Sequence, residues 1–113
     1  MFKFEESSHQ TDDILDYIHM NVWGPTQNSS LGGKRYYVTF VDDFFRRSWV
    51  YSMHHKHEVL EVFKDWKKMI ENQTSRKIKF LRSDNGGEYT SNAFKKFCQS
   101  EGIVRHLTVR ETP

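Results

Sequence analysis

The chain has 113 residues, 36% hydrophobic and 15% aromatic, a size that suits one globular domain with a modest core. Cys98 is the only cysteine, which excludes an intrachain disulfide and a four-cysteine zinc module, and no run nears the roughly 18 apolar residues that span a bilayer. Net charge is only +2 but uneven: residues 1–33 hold one lysine against five acids, and residues 34–113 hold sixteen Lys and Arg against ten acids. The basic part can therefore face phosphate or form a solvated surface of mixed charge. The opening M-F-K-F-E-E-S-S-H-Q lacks the apolar stretch of a signal peptide, so the expectation is a soluble intracellular protein with no membrane partner.

Residues 1–13 are polar and read as a linker or tail, leaving 14–113 as the domain. From Ile14 to Val22 the chain alternates, with Ile18, Met20 and Val22 on one face and Tyr17, His19 and Asn21 on the other, as a strand does. Trp23-Gly24-Pro25 reads as its stop and Gln27 to Gly33 as a loop. Tyr36 to Val41, rich in β-branched and aromatic residues, predicts a second strand; Ser48 to Met53 returns after an Asp42–Arg47 turn as its hairpin partner. Between Glu58 and Asn72 the period changes, since Val59, Phe63, Trp66 and Ile70 follow the spacing of a helix. Thr74-Ser75-Arg76 ends it and Ile78 to Arg82 predicts a fourth strand. Ser91 then caps a short helix containing Phe94, Phe97 and Cys98, Gly102 terminates it, and Ile103 to Val109 predicts the last strand. A hairpin followed by alternating strands and helices implies an α/β fold: a mixed five-stranded sheet, antiparallel at one side and parallel at the other, with flanking helices, as in ribonuclease H-like proteins.

The stretch Lys77 to Tyr89, K-I-K-F-L-R-S-D-N-G-G-E-Y, brings Asp84 to the C-terminal end of a strand, where open α/β sheets keep their chemistry. Phosphoryl transfer on nucleic acid commonly needs two divalent ions about 4 Å apart, held by carboxylates from different strands. Asn85-Gly86-Gly87 would let a phosphate backbone approach without a Cβ clash, although on these residues alone D-N-G-G reads first as an ordinary turn with Asp84 capping a backbone amide. Asp42, Asp43 and Glu88 read as turn residues. His54, His55 and His57 read as exposed, because neighbours along a strand point to opposite faces. Trp49, Trp66 and the phenylalanines fall on apolar faces and read as core. Lys64, Lys67 and Lys68 on the long helix, Lys77, Lys79 and Arg82 around the fourth strand, and Lys95 and Lys96 on the short helix are candidates for sequence-independent contact with DNA phosphates.

R-S-D-N-G-G-E-Y, together with W-G-P, G-G-K-R-Y-Y-V-T-F-V-D-D-F-F-R, the Trp49-Val50-Tyr51 strand, V-F-K-D-W-K-K and V-R-E-T-P, resembles the integrase catalytic core of copia-type LTR retrotransposons, plant ones in particular. The resemblance runs from about Ile14 to Pro113. It implies a ribonuclease H-like fold and a D-D-E site that uses Mg2+ or Mn2+ for 3′-end processing and strand transfer, with element ends and target DNA as partners and no small-molecule substrate. The parent integrase would act in the nucleus. The family's first catalytic aspartate corresponds to Asn21, and its glutamate would follow a few residues beyond Pro113. Asp84 is then the metal ligand still present, in a core cut short at its C-terminus and inactive in integration by itself. Exposed apolar surface and self-association are expected with it. Two other readings stand beside this one: a non-enzymatic retrotransposon remnant that binds nucleic acid or protein, and a ribonuclease H-type nuclease, against which the lack of an acid at position 21 argues.

Overall fold

Val38 and Phe40 are fully buried while Tyr37, Thr39 and Val41 between and beside them are half-buried, the period-two mark of a strand with one face on a core. The computed structural model describes residues 13–28, 33–84 and 89–108, the side chains at 27, 28, 33, 34, 84 and 108 excepted. Among these residues there are five strands: β1 (Tyr17–Asn28), β2 (Gly33–Asp42), β3 (Arg47–Met53), β4 (Phe80–Asp84) and β5 (Val104–Thr108). They form one sheet in the order β3-β2-β1-β4-β5. The β1–β2 and β2–β3 pairs are antiparallel, and β1–β4 and β4–β5 are parallel, as the hairpin and crossover pattern requires. Among the described residues no helix is long and apolar enough to cross a membrane.

Two helices, α1 (Val59–Thr74) and α2 (Asn92–Ser100), carry the connections into β4 and β5. A short 3-10 turn, Lys56–Glu58, leads into α1, and the Glu58 carboxylate accepts a hydrogen bond from the His55 N–H at 3.1 Å. Ser75 closes α1 in the left-handed region at φ 59°. Ser91 Oγ caps α2 by accepting from the Phe94 N–H at 3.2 Å, and Gly102 ends it with φ 73°.

Val59, Phe63, Trp66 and Ile70 of α1 and Phe94 and Cys98 of α2 pack on Ile18, Met20, Val38, Phe40, Met53 and Leu81 of the sheet. Phe40 stacks on Trp66 with ring centroids 4.3 Å apart, and Phe63 meets Phe94 at 5.4 Å. These sheet residues share one face, so both helices cover the same side. On the other side Trp23, Val50 and Val104 are 41%, 56% and 49% exposed.

Several boundaries differ from the sequence pattern: β1 begins at Tyr17 instead of Ile14, β2 runs from Gly33 to Asp42 instead of Tyr36 to Val41, and two differences have a clear cause. Trp23-Gly24-Pro25 does not stop β1, and the expected Gln27–Gly33 loop gives way at both ends to pairing, with Thr26, Gln27 and Asn28 opposite Arg35, Lys34 and Gly33. A register shift between Trp23 and Thr26 absorbs Gly24 and Pro25 as a bulge, where a proline lacking N–H leaves no ladder bond unmade. Gly24 has φ 116°, and a Cβ there would lie 2.8 Å from the Arg35 carbonyl oxygen, so only glycine fits. The fourth strand starts at Phe80 instead of Ile78, because the Ile78 N–H is taken by the Glu71 carboxylate of α1 at 2.8 Å.

Candidate functional site

Parallel pairing places Tyr17, Ile18, His19 and Met20 beside Phe80, Leu81, Arg82 and Ser83 in turn. Ile18, Met20, Leu81 and Ser83 are buried toward the helices, and His19 and Arg82 are exposed on the uncovered face. Positions 21 and 84 follow Met20 and Ser83, one residue past the last pair of these two strands. Asn21 is exposed and lies across from Thr39 of β2, while the Asp84 backbone pairs with Thr108 of β5. The C-terminal edge of the parallel strands thus carries the two positions singled out in the sequence.

The chain returning from this edge is tied down by Tyr89. Its hydroxyl, in a side chain 2% exposed, shares its proton between the carbonyls of Leu81 in β4 at 2.6 Å and His106 in β5 at 3.1 Å. Arg105 donates to the Tyr89 carbonyl at 2.7 Å and lies over its ring at 4.9 Å. Burial pushes the phenol pKa far up, with the Arg105 charge opposing, so the group stays a neutral donor. Asn85, Gly86, Gly87 and Glu88 lie outside the described residues.

Asp42 belongs to the opposite end of β1, beside Ile18, and is 1% exposed. Its carboxylate accepts from the Leu15 N–H at 3.1 Å and the Phe44 N–H at 3.0 Å, the turn-locking role read from the sequence. His54, His55 and His57 are exposed, with the rings of His55 and His57 stacked at 5.3 Å. Among the described residues no three metal-ligating side chains converge.

The eight basic candidates are not brought onto one surface. Lys64 and Lys68 line a cleft of about 360 Å³ between α1 and α2, on the helical side. Lys67, 6% exposed, is held by Glu71 at 2.9 Å and Glu101 at 2.7 Å, so its charge is engaged within the fold. Burial opposes its charge, but hydrogen bonds and attraction from the two glutamates prevail and raise its pKa. Lys77 and Lys79 precede β4, at the far end from Asp84, and Lys79 lies 3.5 Å from Asp16. Lys95 and Lys96 are exposed on α2. Of the eight, Arg82 is the one beside positions 21 and 84, in a row with His19 and His106.

In the sequence Trp23 reads only as part of a stop. It stands two residues after Asn21 in the same alternation, is 41% exposed, stacks on Tyr37 at 4.5 Å and donates its indole N–H to Thr39 Oγ1 at 3.1 Å. That alternation was the signal for it, obscured by the Gly-Pro that follows.

Comparison with known proteins gives a consistent picture. The family model described as "Integrase core domain" matches residues 7–113. The retrovirus-related Pol polyprotein from transposon TNT 1-94 of Nicotiana tabacum is 46% identical over 110 residues, covering 97% of this chain and 8% of that protein. A truncated transposon Ty1-A Gag-Pol polyprotein of Saccharomyces cerevisiae is 32% identical over 92 residues, covering 80% of this chain and 8% of that protein. This chain therefore spans a small part of the curated relatives it matches. Among solved structures, the HTLV-2 integrase catalytic core domain in complex with magnesium, in its dimeric form, superposes with a TM-score of 0.65 at 20% identity, covering 85% of this chain and 62% of that one. A simian T-cell lymphotropic virus intasome in complex with PP2A regulatory subunit B56 gamma gives 0.66 at 16% identity over 88% of this chain and 34% of that one. The structural likeness establishes the ribonuclease H-like integrase fold, and the sequence matches bear out the resemblance to retrotransposon integrases.

Proposed function

This chain belongs to the integrase core domain family, and on that premise we propose that it is the DNA-facing core of a retrotransposon integrase in which catalysis has been lost and DNA contact kept. The observation that carries this reading is the adjacency of positions 21 and 84 at the edge of β1 and β4, one a neutral amide and the other an acid. In the parent enzyme, acting on DNA in the nucleus, acids here would hold Mg2+ or Mn2+ for 3′-end processing and strand transfer.

The donor set of this chain suits such an ion poorly. Asn21 offers a neutral oxygen, and Mg2+ gives up its waters reluctantly to a weakly charged site. The residues around the edge still suit DNA: Arg82 and His19 stand in one row on the exposed face, able to meet phosphate oxygens without reading sequence. Exposed Val50 and Val104 on the same uncovered face support self-association.

The test is a strand-transfer assay with Mn2+ alongside calorimetric titration of the ion. The unmodified chain should transfer no strand, and robust transfer would overturn the proposal. Asn21→Asp should tighten Mn2+ binding about tenfold or more through the added ligand charge. Asp84→Asn in that background should cancel the gain.

A further inference from the structure

Trp23 is built more firmly than a half-exposed side chain on an open sheet face requires. One face of its indole lies on the Tyr37 ring, at 4.5 Å and 18° between planes. Its N–H is fixed by Thr39 Oγ1 at 3.1 Å, and Thr39 is the residue directly across from Asn21. The indole is thereby drawn back along the sheet toward position 21. The bulge starting at the next residue, where only glycine fits under the Arg35 carbonyl, holds the backbone of β1 in place beneath it. The result is a rigid ring on a residue still 41% exposed, at the edge where β4 ends and β1 runs on past it.

We infer that Trp23 is a stacking platform for an unpaired nucleobase of DNA, placing the strand end beside positions 21 and 84. A flat, immobilised ring gains stacking energy from any base and loses little conformational freedom in doing so. Arg82, in the row behind Asn21 on the same exposed face, supplies the positive charge that a phosphate of the same strand would meet. The Tyr37 ring behind the indole stiffens the platform, and Thr39 spares its N–H from seeking a partner in the ligand. This inference rests on the DNA-facing reading above and names the part of DNA that the edge receives.

Fluorescence anisotropy with two labelled probes tests it: a short oligothymidylate, and an oligonucleotide of equal length made of abasic sites. The unmodified chain should prefer the oligothymidylate. Trp23→Ala should weaken oligothymidylate binding about 5- to 100-fold and leave the abasic probe nearly unchanged. Trp23→Phe, which keeps a stacking face, should recover most of the loss and shows that the edge still folds. Equal loss on both probes, or no loss on either, overturns the stacking platform while leaving DNA contact standing. Failure of the unmodified chain to bind either probe overturns the DNA-facing reading and the platform together.

Discussion

Lys67 Nζ lies 2.7 Å from a carboxylate oxygen of Glu101, tying the middle of α1 to the end of α2, with Glu71 completing the group at 2.9 Å. The lysine pKa is raised, so its contribution to stability is complete below the ordinary value of 10.5 and is lost as pH climbs through the folded value. The Glu101 pKa is lowered by its hydrogen bond to Lys67, so its contribution is complete above 4.5 and is lost as pH falls through the folded value. Lys67→Met should cost about 1–3 kcal/mol at neutral pH, less than a fully buried pair would, because Glu101 can rehydrate. The gap between variant and parent should narrow in both acid and strong alkali. Urea unfolding midpoints across pH measure it, and a gap constant with pH would refute the ion-pair account.

Tyr89 bridges two parallel strands through one hydroxyl, between the Leu81 and His106 carbonyls. Tyr89→Phe keeps the buried ring and deletes only that bridge. The expected cost is about 1–3 kcal/mol, with faster amide hydrogen exchange concentrated in β4 and β5. Acceleration spread evenly over the sheet, β2 and β3 included, would mean that the hydroxyl acts on global stability instead of on this edge.

Trp66 is 2% exposed, and its indole N–H finds no acceptor among the described residues. A buried donor without a partner costs free energy, so removing it offsets part of the apolar area lost with the ring. Trp66→Phe should therefore change stability by no more than about 1 kcal/mol. Phe63→Ala, at a fully buried site with no polar group to relieve, should cost about 3–5 kcal/mol. Comparable losses in thermal or urea unfolding would show that the indole N–H is satisfied after all.

Much of this architecture could be read directly from residue spacing. Phe63, Trp66 and Ile70 announce both the helix and its buried face, and Tyr37, Val38, Thr39 and Phe40 alternate as plainly in the sequence as in the sheet. The lateral pairing of β1 with β4, which makes neighbours of positions 21 and 84, needed the crossover pattern and the family resemblance, since no local signal encodes it. The course of β1 past Trp23 is hidden because Gly-Pro looks like a breaker, and its accommodation depends on the Arg35 backbone eleven residues after Gly24. The depth of Lys67 was hidden too. Its place four residues after Phe63 put it on the inner side of the helix, but its partner Glu101 comes from beyond the end of another. Spacing gives the side a residue faces; what it meets there depends on chain that arrives later.

The central position of β1 has a consequence in time. Its antiparallel edge meets β2 within one hairpin, but the residues that pair with Tyr17 to Met20 on the parallel edge, Phe80 to Ser83, follow roughly 60 residues later in the chain. At about 5–20 residues per second, a ribosome leaves that edge unpaired for some 3–12 s. During that interval the nascent three-stranded meander presents unsatisfied backbone donors and acceptors to any other extended chain nearby. Synthesis of α1 and β4 closes the window, so their rate of arrival governs how much of the protein reaches the five-stranded sheet.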